Sequence, residues 1–282
     1  MRGLPGFQGH FFQHVEETTS TNDVLKQDWS QEAIPERVLA ADHQTAGRGQ
    51  AGRSWWDRPG DSLLFSFSWP SYTFSERNLP PSLVVGLALH NALSVLLSEE
   101  SAVSNSLSSP FSSASSSPDS PFRPENLWLK WPNDVYLEKA KVAGILVESQ
   151  ISSQGNGRLV VGIGVNVRGA RPELPTGEPA ASLEQALGSG LVPQQILSGI
   201  LAAWSEIQTG DYSSDRLLRC WEKAAAPLWG SNVKITDPAG ETRTVQALGI
   251  ASGGGLRVLL PDGTQKILYS VDRLRLMDSN YP

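Results

Sequence analysis

Leu63, Phe65, Phe67 and Trp69 alternate with Leu64, Ser66 and Ser68, the period-two rhythm that predicts a β-strand with one buried face. A helical rhythm follows. Leu83, Val84, Leu87, Ala88 and Leu96 recur at spacings of three and four, apolar all round, which predicts a buried helix with Ser82 as its cap. Val142 to Ser149 and Leu159 to Val167 are β-branched runs joined by Ser153, Gln154, Gly155, Asn156 and Gly157, the pattern of a hairpin. Ile196, Ile200, Leu201, Trp204 and Ile207 share one helix face that Gly210 closes, and a second helix spans Asp215 to Ala226. From Asn232 onward, apolar runs are divided by Asp237-Pro238-Ala239-Gly240, Gly253-Gly254-Gly255 and Pro261-Asp262-Gly263, so roughly five short strands form a small β-barrel. The expected fold is α+β: a mixed, largely antiparallel sheet with helices on one side, then the barrel.

Length and composition fit that division. A chain of 282 residues with 39% hydrophobic content buries a substantial core, read here as a large domain over 1–229 and a small one over 230–282. Between the buried helix and Lys130, residues 101–121 hold 11 serines and 3 prolines without periodicity, too long for a connection and therefore an expected surface insertion. Lysines and arginines are scattered through a chain of net charge -6, which argues against a DNA binder. The single cysteine, Cys220, forms no internal disulfide and is expected buried and inert near Leu217 and Trp221. With no secretory h-region at the start and no continuous membrane-length apolar run, the expectation is a soluble, cytoplasmic protein without membrane partners. Oligomeric state is not legible.

Four polar clusters carry candidate chemistry. Thr19-Ser20-Thr21-Asn22-Asp23 precedes Val24 and Leu25, and reads either as a helix N-cap or as a set of ligand-facing groups. After Gln44, residues 46–55 (AGRGQAGRSW) place Gly47, Gly49 and Gly52 among Arg48 and Arg53. Glycine lets backbone N–H groups approach an anion while guanidinium forks grip its oxygens. The loop lacks the Lys-Ser or Lys-Thr ending of a P-loop and the strand context of a dinucleotide fingerprint. Lys130-Trp131-Pro132-Asn133-Asp134 is a stiffened turn or a nucleotide-facing one. Lys141 opens an apolar strand, either as an edge charge or as a reacting cation.

In order, STND, QTAGRGQAGRSW, KWPND, KVAGILVE and GIGVNV resemble the motifs of biotin protein ligases, a likeness that covers most of residues 16–276. That resemblance implies a class II synthetase-like catalytic fold with an SH3-like C-terminal domain. It also implies a reaction in two steps: the biotin carboxylate attacks the α-phosphate of ATP to give biotinyl-5′-AMP, and a carrier-protein lysine then takes the biotinyl group. Carried onto matching positions, Ser20, Thr21, Asn22 and Gln44 hold the ureido head, Gly47, Arg48 and Gly49 wrap the acyl phosphate with Gln50 beside them, and Gly144 passes close to the biotin tail. Lys141 meets the carboxylate and bridging oxygen, Trp55 and Arg53 face the nucleotide, and Asn133, Asp134 and Asn166 position nucleotide and Mg²⁺, whose ligands stay unassigned. Arg48 and Lys141 are the catalytic candidates, since two anions must meet. The incoming lysine loses its proton either to surrounding cations' influence on its pKa or to Asp134.

Two departures qualify the likeness. Many family members carry arginine directly after GRG, where this chain has Gln50 and Ala51, so a looser grip on the adenylate is expected. Only about 15 residues precede the first motif, too few for a helix-turn-helix repressor domain, so no specific DNA binding is expected. The expected partner is a biotin carboxyl carrier protein, as in acetyl-CoA carboxylase. Competing readings are a lipoate-protein ligase and a non-catalytic binding or adaptor protein.

Overall fold

A computed structural model of the chain describes residues 11–30, 36–73, 79–106, 126–151, 156–169, 177–188 and 190–277. Strands β1 (Phe11–Thr18), β2 (Arg37–Gln44), β3 (Ser62–Thr73), β4 (Leu127–Lys130), β5 (Asp134–Leu137), β6 (Ala140–Ile151) and β7 (Asn156–Asn166) form one sheet in the order β1-β2-β3-β7-β6-β5-β4. Only β1 and β2 run parallel; every other neighbouring pair is antiparallel, as the mixed-sheet expectation has it. The period-two pattern of β3 is realised directly. Leu63, Phe65, Phe67 and Trp69 enter a core shared with Val38 and Ala40 of β2, Ile145 of β6, and Val161, Ile163 and Val165 of β7.

That face is covered by α2 (Pro81–Ser106), α4 (Pro193–Thr209) and α5 (Ser214–Ala224), while the short α1 (Thr21–Lys26) lies on the opposite face, where Leu25 packs on Leu39 and Val160. A further short helix, α3 (Leu183–Leu187), is opened by a capping box of Ser182 and Gln185. Helix α2 starts at Pro81, where a missing N–H costs nothing, so Ser82 sits inside the first turn and is not the expected cap. It continues through residues 101–106, the front of the serine-rich segment; 107–121 lie outside the described residues, as do 152–155 of the expected hairpin turn. The span Pro81–Ser98 is long and apolar enough to cross a membrane, and 56% of it is buried inside the protein. Its Leu83, Val84, Leu89 and Leu93 are core residues.

Gly210 ends α4 as expected, and Ser213 caps α5 by accepting the Arg216 N–H. The inward stripe of α5 runs through Leu217 and Trp221, four apart, so Cys220 falls on the outer side and is exposed, not buried. The C-terminal strands β8 (Asn232–Thr236), β9 (Thr242–Ile250), β10 (Leu256–Leu259), β11 (Gln265–Leu268) and β12 (Arg273–Leu276) form an antiparallel sheet ordered β11-β10-β9-β8-β12. Their Val233, Val245, Leu256, Val258 and Leu274 join the same apolar cluster as α2 and α5. At the junction, the left-handed Gly254 turn lies so close to α2 that a Cβ there would stand 2.4 Å from Pro80, and its carbonyl accepts the Trp131 indole N–H at 3.0 Å.

Trp204 of α4 packs on β3, its ring centroid 4.4 Å from Trp69 and 5.1 Å from Phe67. Trp204→Ala should destabilise the protein by about 3–5 kcal/mol through the cavity it leaves. Urea unfolding measures this, and a loss well under about 1 kcal/mol would mean that α4 does not depend on this contact.

Candidate active site

On the sheet face opposite the large helices, the pleat turns Gly144 of β6 and Gly162 and Gly164 of β7 outward, with Gly144 and Gly164 directly paired. Side chains from elsewhere lie over them. A Cβ on Gly162 would stand 2.4 Å from the Asn22 oxygen, one on Gly164 2.6 Å from the Trp55 indole, and one on Gly144 3.0 Å from Lys141 Nζ. Together they floor a cavity of about 350 Å³.

One end of this cavity is a buried hydrogen-bond network. Ser20 occupies the N-cap of α1, but its side chain makes no cap bond, so the capping alternative for this cluster is not realised. Thr21 gives its backbone N–H to Gln44 Oε1 at 2.7 Å, and its hydroxyl lies 3.0 Å from the same oxygen and 2.6 Å from Ser66 Oγ. Ser66 Oγ is 2.6 Å from Asn22 Oδ1, while Asn22 Nδ2 donates to Glu148 at 2.8 Å. Beside it, Arg48 pairs with Asp23 at 2.5 Å and Glu148 at 3.1 Å, and Lys26 with the same two carboxylates at 2.8 and 2.7 Å. Burial pulls the Lys26 pKa down, but its bonds to Asp23 and Glu148 outweigh that and hold it above the ordinary value.

The other end is a chain of alternating charge. Lys141 Nζ contacts Asp134 at 2.5 Å and lies 5.6 Å from the Trp55 ring centre. Buried Lys130 contacts Glu178 at 2.7 Å and the Tyr136 hydroxyl at 2.8 Å, with Asp134 at 4.0 Å. Burial raises the Glu178 pKa, but the Lys130 ammonium overrides it and holds the carboxyl below its ordinary range. Burial, with the charges of Asp134 and Glu178, pushes the Tyr136 hydroxyl well above its own. Val135 pairs with Ala143 but Tyr136 with Lys141, so Val142 is an extra residue in β6; this bulge turns Lys141 toward the cavity side on which Gly144 lies.

The glycine-arginine loop arches over the middle. Arg48 bridges Ser54, Gly49 N–H donates to Arg53 at 2.6 Å, and Ala51 and Gly52 adopt left-handed backbone at φ 53° and 71°. Trp55 presents an indole N–H that is buried without a partner among the described residues.

Of the residues singled out in the sequence, Ser20, Thr21, Asn22, Gln44, Arg48, Gly49, Gln50, Arg53, Trp55, Asn133, Asp134, Lys141, Gly144 and Asn166 line this one cavity. Gly47 does not, but stands where a Cβ would be 3.2 Å from Gln44 and from the Trp55 carbonyl. Asn133 donates to the Ile145 carbonyl at 2.6 Å and Asn166 to that of Lys141 at 3.3 Å, which fixes both amides. Sequence reasoning missed Glu178 and Arg273 in the lining and gave Ser66, Glu148, Gly162 and Gly164 no individual role. Alternate glycines in a β-branched strand were the available signal for the last two.

Comparison with known proteins points one way. Residues 15–166 match the biotin/lipoate A/B protein ligase family. A biotin--[acetyl-CoA-carboxylase] ligase of Paracoccus denitrificans is 30% identical over 236 residues, which cover 82% of this chain and 86% of that protein. The bifunctional ligase/repressor BirA of Bacillus spizizenii is 29% identical over 241 residues, and the match spans 65% of its length. Among solved structures, the Aquifex aeolicus biotin protein ligase in complex with biotin and ATP is similar at a TM-score of 0.66 and 26% identity, covering 95% of this chain and 99% of that one.

Because the folded Glu178 carboxyl titrates below its ordinary 4.5, its pairing with Lys130 contributes stability above that pH and loses it as pH falls through the lowered value. Glu178→Gln should therefore be less stable than the parent at about pH 7, with the gap closing at a pH well below 4.5. Urea titrations at both values check this, and a gap of constant size would contradict it.

Proposed function

This chain belongs to the biotin/lipoate A/B protein ligase family, and from that premise we propose that it activates biotin with ATP and transfers the biotinyl group to a carrier-protein lysine. The observation that carries the reading is that Arg48, Lys141 and the Thr21–Asn22–Gln44 network line one cavity. In the first step, a biotin carboxylate oxygen bonds to the α-phosphorus of ATP, and the bond to pyrophosphate breaks. Two anions must approach, so cations held in a partly desolvated site offset their repulsion and the charge gathering on phosphorus. We assign that work to Lys141 and Arg48, with Gly47, Gly49 and Gln50 along the acyl phosphate and Gly144 beside the biotin tail. Trp55 and Arg53 face the nucleotide, with Asn133, Asp134 and Asn166. In the second step the neutral lysine amine bonds to the acyl carbon and AMP leaves; the same cations favour that neutral form on arrival.

Mg²⁺ enters as the companion of ATP. Among the described residues no group of three or more His, Cys, Asp or Glu could cage a metal. Asp134 and Glu178 instead fit the one or two carboxylates that usually accompany phosphate-bound Mg²⁺. The acceptor we propose is a biotin carboxyl carrier domain, with acetyl-CoA carboxylase as its source, and the reaction is placed in the cytoplasm. Residues 1–229 form the catalytic unit in this reading and 230–282 an SH3-like one. Lipoate is the poorer candidate, because its dithiolane has no N–H to offer the oxygens of Gln44, Asn22 and the two hydroxyls.

Lys141→Ala should cut biotin-dependent ATP–pyrophosphate exchange by about 10²–10³-fold while the fold is kept. Mass spectrometry of a carrier domain incubated with ATP, Mg²⁺ and biotin reads the second step; labelling at the parental rate would remove Lys141 from the mechanism, and exchange with lipoate alone would reverse the substrate. Gln50→Arg should slow dissociation of biotinyl-5′-AMP, and equal off-rates for variant and parent would show that Gln50 does not loosen the grip.

A further inference from the structure

Glu148 has no part in the mechanism above and lies behind the cavity lining, where it touches three side chains at the polar end. Its Oε2 accepts from Asn22 Nδ2 at 2.8 Å, its Oε1 from Lys26 at 2.7 Å, and Arg48 reaches both oxygens at 3.2 and 3.1 Å. An ionised carboxylate only accepts, as does the Leu146 carbonyl that takes a longer bond from the same nitrogen at 3.4 Å, so the Asn22 amide has one orientation: nitrogen toward Glu148, oxygen toward Ser66. Gln44 is fixed likewise, because the Thr21 backbone N–H must meet its oxygen.

Between the two fixed amide oxygens stand two hydroxyls in series, with contacts of 3.0 Å from Gln44 to Thr21, 2.6 Å from Thr21 to Ser66 and 2.6 Å from Ser66 to Asn22. Two hydroxyl protons serve three oxygen–oxygen contacts. One contact always lacks a donor, and Asn22, Thr21 and Ser66 are buried. Both hydroxyl protons are thus spent within the network, which can offer a ligand only lone pairs and so suits ligand N–H groups.

We propose that Glu148 is a positioning residue for substrate selection: by holding the Asn22 amide with its oxygen toward Ser66 it leaves this end of the cavity without a free donor, so that the cavity selects a ligand carrying N–H groups. The inference rests on the biotin reading, since the ureido ring is the N–H-bearing part of that substrate. In Glu148→Gln the new amide presents either an oxygen or a nitrogen, so only the 3.4 Å bond to the Leu146 carbonyl opposes turning of Asn22, and a turned Asn22 puts its NH₂ where the ligand N–H would donate.

The test is steady-state ATP–pyrophosphate exchange with the full chain. Glu148→Gln should raise the KM for biotin about tenfold, with kcat and the KM for ATP within about twofold of the parent. Asp23→Asn removes the other carboxylate on Arg48 and Lys26 but leaves the Asn22 clamp, so it reads the effect of releasing Arg48 alone and should raise the biotin KM clearly less than Glu148→Gln does. Ser66→Ala removes the hydroxyl facing Asn22; in that background Glu148→Gln should raise the biotin KM less than it does alone, the coupling expected of one shared path. An unaltered biotin KM in Glu148→Gln overturns the proposal, as does an equal rise in Asp23→Asn, which would place the effect on Arg48. A parent protein that exchanges with lipoate and not with biotin defeats the underlying reading instead, whatever Glu148→Gln does.

Discussion

Everything at the site depends on the bare strip of backbone where β6 and β7 pair through Gly144 and Gly164, with Gly162 two residues along β7. The pleat that sends Ile145, Ile163 and Val165 into the core sends these glycines to the other face. A side chain at any of them would occupy the space that Asn22, Trp55 and Lys141 use. The hydrophobic core and the cavity are thus two faces of one hairpin, and the same alternation builds both.

Charge is arranged so that the cations can be held in place before any anion arrives. Arg48 stands between Asp23 and Glu148, and Lys141 against Asp134, which is itself 4.0 Å from Lys130. An unpaired charge in a partly buried site is costly, and a paired one far less so. In the proposed reaction an anionic substrate exchanges partners with these carboxylates rather than filling a vacant positive field. The pairing with Glu178 keeps Lys130 neutralised on the far side of Asp134.

The C-terminal sheet takes part in this geometry. Arg53, at the end of the glycine-arginine loop, donates to the Asp272 carbonyl at 2.7 Å, and Arg273 reaches the cavity lining from β12. Trp131, in the turn that presents Asn133 and Asp134, is tied to Gly254. The loop over the cavity and the turn at its cation end are therefore both anchored to residues more than a hundred positions away in the chain, through an apolar cluster that runs continuously from α2 into the β8–β12 sheet.

What the sequence determined by itself was local. Alternation along Leu63 to Trp69 specified β3, the apolar repeat from Ile196 to Ile207 specified α4, and turn residues after Asn232 divided the final strands, because side-chain periodicity is set by backbone geometry alone. The motif residues around Ser20, Arg48, Asn133 and Lys141 were legible as polar clusters with a structural and a chemical reading each, and only their order, through its likeness to biotin protein ligases, drew them toward one site. Tertiary structure decided the rest. Lys141 and Gly144 are three apart, an odd spacing that places them on opposite faces of a regular strand, and only the Val142 bulge brings both to the cavity. Whether Thr21 and Asn22 cap a helix or face a ligand depended on Gln44, Ser66 and Glu148 arriving from three other strands. Cys220 came out exposed because the inward stripe of α5 is fixed by what it packs on. Each of these turns on contacts between residues far apart in the chain, and no local pattern records which distant side chain will be there.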